Sequence, residues 1–423
     1  MNKNLIYGEN ISKYFTKFKG DDKMYPLGVN CMLLQYRVKN YSSIKNEVYL
    51  NMLATSNREH NSFIREIGNG VKVLPIAAVY GANASGKSNL LRSFAMMRYN
   101  VILSMFSEKK LSFRIPFLYD ENRIENTEYE VVFAKNDIEY QYGMEVNDYE
   151  VIEEWLYERK LSKNKTKSKL IFYRNVESIN YDKKYEKLNN YNEFIKNNNF
   201  VISFFGEKEI EYVQAFKDVY DFFQDALYTI VPTVGKIENN NYILEYYYND
   251  KKCFENCKKF LKEFDPSIQD INILYDEAEK KYSVIIKRLN EWLPISFESD
   301  GTKKMFYLFI NVYRVLNNGG VLVADELDCQ LHPLLFRKIV RQFNGPENSK
   351  NAQIIFTSHN LIVLDNKELR RDEIWFTEKN NATTSLMSLA EFKIDKASIR
   401  ADLDYGKHYL AGRFGGIPYI GDE

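Results

Sequence analysis

Short apolar runs that end abruptly at glycine or polar residues are the clearest pattern along this 423-residue chain. Three of them occupy residues 73–80, 321–324 and 354–356. Their shortness and lack of charge are typical of parallel strands buried on both faces of a sheet. The residues that follow each run should therefore share the carboxyl edge of one sheet, where open α/β sheets bind ligands.

A second pattern alternates apolar and polar positions. Residues 128–133 and 139–146 alternate in this way, which predicts antiparallel strands beside the parallel sheet. Residues 210–223 instead place apolar side chains at helical spacing. The chain as a whole is therefore predicted to be an α/β protein with an antiparallel β lobe and a mainly helical insertion.

The first apolar run leads into Gly81-Ala-Asn-Ala-Ser-Gly-Lys-Ser88, and a helical pattern follows. Strand, glycine loop and helix are the context of a phosphate loop, because backbone N–H groups and a helix N-terminus then face the phosphates. Lys87 is expected to reach the β- and γ-phosphates of ATP, and the Ser88 hydroxyl to bind Mg²⁺. The residues predicted to contact the nucleotide here are Gly81, Asn83, Ser85, Gly86, Lys87, Ser88 and Asn89.

Two carboxylates follow the second run. Asp325 is the predicted partner of Mg²⁺, and Glu326 is the predicted base that polarises the attacking water. An acidic strand end without catalytic meaning is the alternative for this motif taken alone.

The third run ends at Thr357-Ser-His359. His359 stands where a sensor of the γ-phosphate is needed, and we predict that it takes part in catalysis with Lys87 and Glu326. A lone histidine at a strand end is more often structural. The two neighbouring motifs favour the catalytic role here.

Composition excludes several classes of protein. The chain has 58 basic and 58 acidic residues, so its formal charge is zero. This balance argues against a strongly basic protein that coats nucleic acid. A basic run at 159–169 keeps direct nucleic-acid binding open, with a solvated hairpin tip as the alternative. No apolar stretch is long enough to cross a membrane, and four sparse cysteines suit a reducing compartment. We therefore expect a cytoplasmic protein with no membrane partner.

These motifs, in this order, resemble ABC-type ATPases of the SMC and RecF kind within the AAA family. More narrowly, the chain resembles the stand-alone ATPases of bacterial phage-defence operons typified by RloA, AbiLi and AriA. The resemblance is carried also by Val38-Lys-Asn-Tyr-Ser-Ser-Ile44, by Ser299-Asp-Gly-Thr302, and by the tail strings at 369–379, 388–392 and 409–418.

The resemblance implies an ABC signature at residues 299–302. Ser299 and Gly301 would contact the γ-phosphate of ATP held by another subunit, which implies a head-to-tail dimer or higher oligomer. Asp300 departs from the pattern, because it replaces the first of two glycines. Leu327-Asp328 resembles the loop that crosses between the two sites. The equal alternative is that Asp328 and His332 form a polar helix start after the strand.

The resemblance also implies a function. It predicts a slow, dimer-dependent ATPase that acts as a nucleotide-driven sensor or scaffold in antiviral, abortive-infection defence. A separately encoded effector, such as a TOPRIM-like or RloB-like nuclease or toxin, would be its partner. The alternative is a RecF- or SMC-like DNA-repair ATPase that binds DNA directly.

Four parts are expected along the chain. They are an N-terminal extension at 1–31, ATPase lobe I with the phosphate loop at 32–160, a mainly helical insertion and partner dock at 161–290, and ATPase lobe II at 291–423.

Overall fold

A computed structural model describes residues 31–106, 114–164, 166–208, 210, 213–231, 240–394, 397–398 and 404–417. The N-terminal extension therefore lies outside the described residues, apart from Cys31. The helices are α1 Lys87–Leu103, α2 Val201–Gly206, α3 Gln214–Asp221, α4 Asn240–Asn249, α5 Lys251–Phe264, α6 Asp300–Asn318, α7 Pro333–Asn344 and α8 Tyr405–Leu410. The strands are β1 Cys31–Lys39, β2 Val48–Asn51, β3 Arg65–Ile67, β4 Val71–Val73, β5 Ile76–Gly81, β6 Thr127–Lys135, β7 Ile138–Val146, β8 Val151–Lys160, β9 Lys169–Arg174, β10 Ile179–Tyr181, β11 Leu227–Ile230, β12 Asp270–Asp276, β13 Lys281–Arg288, β14 Glu291–Pro294, β15 Val321–Ala324, β16 Gln353–Thr357, β17 Ile374–Asn380, β18 Thr383–Ser388, β19 Lys393–Ile394 and β20 Ala397–Ser398.

The three apolar runs form neighbouring strands of one sheet, as their composition predicts. Its order is β11-β15-β16-β5-β17-β18, and all neighbours are parallel except the β17–β18 hairpin. In β5, Ala77 and Val79 pack into one hydrophobic core, while Ile76, Ala78 and Tyr80 pack into a second core on the opposite face. Burial on both faces explains why the runs contain no charge.

The antiparallel sheet has seven strands in the order β10-β9-β8-β7-β6-β1-β2. It shares the first core with α1, α2 and α3. Gln353 joins the two sheets: its buried Oε1 accepts the N–H of Leu33 (2.6 Å), and its Nε2 donates to the carbonyls of Leu33 (3.0 Å) and Leu74 (2.9 Å). The phosphate-loop strand and the antiparallel lobe are thus held in a fixed relation.

A third core lies under the three-stranded sheet β12-β13-β14 and includes residues of α4 and α5. Helix α6 takes part in two cores, because Phe306 and Ile310 face the third core while Leu308 and Val315 face the second. The helix that begins at the predicted signature therefore connects the parallel sheet to this third unit.

The range 161–290 is less helical than predicted. It contributes β9 and β10 to the seven-stranded sheet and β11 to the parallel sheet. The boundary expected at 290/291 falls in the turn between β13 and β14, which are neighbours in one sheet. In short strands rich in Lys, Asn and Tyr, apolar and polar positions alternate only weakly. The strands with which they pair therefore identify them better than their own sequence does.

Candidate nucleotide-binding site

The glycine loop connects β5 to α1 at the carboxyl edge of the parallel sheet. Gly86 precedes the first residue of α1 with φ 108°, and Gly81 has φ 153°. Both backbone conformations are ones that side-chain-bearing residues rarely adopt. Glycine therefore stands at the start of the loop and just before the helix, the two positions whose backbone conformation favours it.

Lys87 is folded into this loop. Its ammonium donates hydrogen bonds to the carbonyls of Gly81 (2.8 Å) and Ala82 (2.9 Å), and the residue is 6% exposed. Burial lowers the pKa of Lys87, and the neighbouring carboxylates of Asp325 and Glu326 act in the opposite direction. The structure thus brings the predicted phosphate-binding lysine to the two acidic residues that follow β15.

Hydroxyl groups of the β17–β18 hairpin contact the glycine loop and support it. Thr377 Oγ1 lies 2.6 Å from Ser85 Oγ, and Thr384 Oγ1 donates to the Ser85 carbonyl (2.9 Å). Ser43 Oγ lies 2.7 Å from Thr384 Oγ1 and accepts from Asn89 Nδ2 (2.7 Å). Ser85 and Asn89, predicted to contact nucleotide, are therefore also part of the support behind the loop.

Sequence reasoning missed Thr377 and Thr384, because nothing in their own strand distinguishes them from other β-hairpin threonines. Ser43 belongs to the stretch 38–44, which carries part of the family resemblance. Ser43 lies in the turn after β1, where Asn40 and Ser42 have positive φ.

The oxygens predicted to bind magnesium converge. Ser88 Oγ lies 3.1 Å from Asp325 Oδ1, which also accepts a hydrogen bond from Thr357 Oγ1 (2.6 Å). Two oxygens in adjacent positions around an octahedral Mg²⁺ are about 3.0 Å apart, and Mg²⁺ normally completes its shell with water and phosphate oxygens. The donor type and spacing of Ser88 and Asp325 therefore suit this ion.

Glu326 differs from Asp325 in both backbone and exposure. Its φ is +49°, and its N–H donates to Thr357 Oγ1 (2.7 Å). Asp325 is buried, whereas Glu326 is exposed. The left-handed backbone at Glu326 thus directs its carboxylate away from that of Asp325, as a separate role for each carboxylate would require.

His359 lies beside the same groups. Desolvation and the Lys87 ammonium lower its pKa, which favours the neutral ring at neutral pH. Asp328 Oδ2 accepts the backbone N–H groups of His359 (3.3 Å) and Asn360 (3.2 Å). Asp328 therefore holds the histidine loop, while His332 caps α7 by accepting the N–H of Leu334 (3.2 Å).

The signature residues form the start of α6. Ser299 is the exposed N-cap, and its hydroxyl accepts the N–H of Thr302 (3.1 Å). The Asp300 side chain is 71% exposed and pairs with Lys303 (3.2 Å). A Cβ on Gly301 would lie 2.9 Å from the Gln330 carbonyl. Asp300 thus has a cation beside it, and Gly301 is needed for close packing.

Other polar and titratable side chains lie apart from this edge. Gln141 lies in the middle of β7, where its amide donates to Glu130 (2.9 Å). Cys253 and Cys257 are buried in the third core, where burial raises the pKa of the Cys257 thiol to about 12. Among the described residues, no cluster of three or more His, Cys, Asp or Glu side chains could hold a metal ion. The described helices also include none that is long and apolar enough to span a membrane.

Comparison with known proteins gives matches of several kinds. One relative, the uncharacterized protein MJECL43 of Methanocaldococcus jannaschii, is 31% identical over 142 residues, covering 31% of this chain and 36% of that protein. The chain thus matches about a third of this relative's length. Among solved structures, the SMC head domain from Thermotoga maritima is 14% identical, covers 86% of this chain and 99% of that one, and has a TM-score of 0.39. An Smc head bound to the C-winged helix domain of ScpA is 12% identical, covers 84% and 97%, and has a TM-score of 0.43.

The family match is broader. The model described as "AAA domain, putative AbiEii toxin, Type IV TA system" matches residues 76–365. That range is more than half of the 423 residues, and it runs from the phosphate-loop strand past His359. The chain therefore belongs to this family of AAA domains.

Proposed function

We propose that the chain is an ABC-type ATPase that binds ATP with Mg²⁺ and hydrolyses it. The observation that carries this proposal is the convergence of Ser88, Asp325 and Thr357 beside the Lys87 loop. Lys87 would exchange its loop carbonyls for the β- and γ-phosphate oxygens, a stronger charge-assisted contact. Bound Mg²⁺ would neutralise phosphate charge, and Ser88 and Asp325 are the residues that would hold it.

Glu326 is the proposed base. Its exposed carboxylate is one residue from the metal-binding position, so it can accept a proton from a water at the γ-phosphate. His359, kept neutral by burial and by Lys87, would donate a hydrogen bond to the phosphate or the water without requiring a second positive charge.

The proposed active form is a head-to-tail dimer or higher oligomer. Ser299 and Asp300 at the start of α6 are exposed, so the positive end of this helix is accessible to an anion outside the chain. ATP on one subunit would then complete its site with Ser299 and Gly301 of another. Asp300 is directed toward Lys303, which reduces its repulsion of that phosphate.

The proposed biological role is a cytoplasmic sensor or scaffold that controls a separate effector in anti-phage defence. The family description, with its reference to a putative AbiEii toxin and a type IV toxin–antitoxin system, supports this setting. Control requires that the effector binds the ATP-closed and open states with different affinity. A TOPRIM-like or RloB-like nuclease or toxin is the proposed partner.

Glu326→Gln tests the core of the proposal. The amide keeps the size of the side chain but is a very poor proton acceptor, so this variant should bind ATP, remain dimeric and hydrolyse at least about a hundredfold more slowly. Sedimentation with ATP and Mg²⁺ measures the dimer, and phosphate release measures turnover.

Lys87→Ala in the same experiment is the control that should lose ATP binding and the dimer together. Wild-type turnover by Glu326→Gln would remove Glu326 as the base. Unchanged ATP affinity in Lys87→Ala would contradict the phosphate-loop assignment. The trapped dimer is then the bait with which the product of a neighbouring gene can be co-purified.

A further inference from the structure

The backbone of Glu326 is held by a hydrogen bond on each side of its Cα. Its N–H donates to Thr357 Oγ1 (2.7 Å), and its carbonyl accepts from the ammonium of Lys304 (2.8 Å). Glu326 has a φ of +49°, a conformation that costs about 1–2 kcal/mol in a residue with a side chain. The surrounding contacts must therefore maintain this backbone against its own preference.

The two contacts come from different parts of the site. Thr357 also donates to Asp325 Oδ1 (2.6 Å), so it belongs to the phosphate and metal side. Lys304 belongs to α6 and lies five residues after the signature residue Ser299. Glu326 is thus connected to its own nucleotide site through Thr357 and to the signature helix through Lys304.

Lys304 differs from its neighbour on the helix. Lys303 pairs with Asp300 (3.2 Å) on the outer side. Lys304 is half-buried and faces the turn that follows β15, where Asp325, Glu326, Asp328 and Cys329 are its charged or titratable neighbours. Two adjacent lysines on one helix therefore have separate environments.

A second contact makes the connection stiff. A Cβ on Gly301 would meet the Gln330 carbonyl at 2.9 Å, so the start of α6 packs directly on the turn that follows Glu326. The Glu326 carbonyl also accepts the N–H of Cys329 (3.0 Å), which closes that turn independently of Lys304. Removing the lysine should therefore leave the turn folded and packed on Gly301, while the Glu326 carbonyl loses its own hydrogen bond to the helix.

We propose that Lys304 is a positioning residue that couples the signature helix to the orientation of Glu326 in the same subunit. The inference rests on the proposed function, because it takes Glu326 as the base and the signature as the contact to ATP on another subunit. Engagement of that ATP by Ser299 fixes the start of α6, and Lys304 transmits this position to the Glu326 peptide. Each site would thus hydrolyse its ATP fastest when the opposite site is also filled.

Lys304→Met is the direct test, since methionine keeps the length of the apolar stem and removes the donor. We expect kcat to fall by about tenfold to a hundredfold, as displacement of a catalytic group by about 1 Å does, with ATP affinity and KM unchanged. Cooperativity of hydrolysis with ATP concentration should also be lost. Lys304→Arg, which restores a cationic donor, should recover most of kcat. Lys217→Met, at an exposed lysine of α3 that pairs with Asp221 (3.1 Å), is the control that should behave like wild type.

Folding of each variant can be checked through its thiols. Cys329 is exposed, whereas Cys31, Cys253 and Cys257 are buried, so a folded chain should react rapidly at one thiol and an unfolded chain at four. Should Lys304→Met fail this check, Lys304→Leu, which also lacks a donor, takes its place with the same expected loss of kcat.

Several results would overturn the coupling. They are wild-type kcat in the folded Lys304→Met variant, a loss of ATP affinity equal to the loss of kcat, or an arginine variant as slow as the methionine one. Those outcomes leave the ATPase proposal intact. Absence of hydrolysis in the wild-type chain would overturn both.

Discussion

Gly86 carries a tight steric constraint in the phosphate loop. Its φ is 108°, and a Cβ placed on it would lie 2.1 Å from Thr384 Oγ1 and 2.6 Å from Thr384 Cγ2. The same threonine hydroxyl supports the Ser85 carbonyl and contacts Ser43. Thr384 therefore cannot move away from an added Cβ without losing its hydrogen bond to the Ser85 carbonyl of the loop.

Gly86→Ala should accordingly lose both stability and ATP binding. Backbone strain contributes about 1–2 kcal/mol and the displaced threonine about as much again, so we expect a loss near 3 kcal/mol in the free energy of unfolding. Gly70→Ala is the matched control, because Gly70 also has a positive φ (79°) but its Cβ would meet nothing closer than 3.8 Å. Urea unfolding and ATP titration measure both effects; equal losses in the two variants would show that the contact with Thr384 does not matter.

At the scale of elements, Glu373 immediately precedes β17, and its side chain faces the end of α7. It is fully buried, its Oε2 accepts the N–H of Arg370 (2.9 Å), and Asn344 of α7 faces the same carboxyl group. Within the described residues, Glu373 Oε1 and Asn344 Oδ1 have no hydrogen-bond partner. A proton on Glu373 supplies the donor that this pair of oxygens needs.

Burial, together with the nearby Asp372 carboxylate, raises the pKa of Glu373 from its usual 4.5 to about 8. The folded state therefore retains a proton that the unfolded chain releases above pH 4.5. The stability contributed by this group is complete below pH 4.5 and is lost as the pH rises through about 8. The loss within that window is about 1.4 kcal/mol per pH unit.

Glu373→Gln should remove this dependence, because its amide is a neutral donor at every pH. We expect the difference in unfolding free energy between variant and wild type to grow in favour of glutamine from pH 5 to pH 8. Chemical denaturation across that range measures it. Glu391→Gln, at an exposed position, is the control that should leave the slope unchanged. Parallel curves for Glu373→Gln and wild type would show that Glu373 is ionised in the folded protein.

At the scale of the whole molecule, balanced charge bears on the choice between a defence scaffold and a DNA-repair ATPase. The basic run at 159–169 begins in the last residues of β8 and ends at the first residue of β9, and residue 165 lies outside the described residues. Arg159 pairs with Glu139, and Lys169 pairs with Asp182 (2.9 Å). The cations at both ends of the run are thus balanced within the protein, while Lys163 and Lys167 remain exposed.

We therefore expect no ATP-dependent binding of duplex DNA at about 0.15 M salt, measured by fluorescence anisotropy with wild type and the trapped Glu326→Gln variant. ATP-dependent, salt-sensitive binding would instead favour the RecF- or SMC-like alternative. Reversal of charge at Lys163 and Lys167 would then show whether the hairpin carries that binding.

Features set by neighbouring residues could be predicted from the sequence, whereas features set by contacts between distant segments could not. The position of the 81–88 loop, the Asp325–Glu326 pair and the His359 loop at one edge of the sheet could be predicted, because each follows a contiguous apolar strand. The role of β11 could not, since Leu227–Ile230 gains its place only by pairing with β15, almost a hundred residues later. The partly polar β9 and β10 likewise depend on β8 for their assignment.

By itself, the sequence determined the order of the motifs, the parallel strands that carry them and the residue types that phosphate and Mg²⁺ require. Only the tertiary structure decided how those residues are held. Thr377 and Thr384 support the loop, Thr357 joins Asp325 to Glu326, and Lys304 joins Glu326 to the signature helix. The physical reason is that a hydrogen bond of this kind depends on two distant segments reaching the same place, which the packing of the cores fixes and neither segment encodes alone.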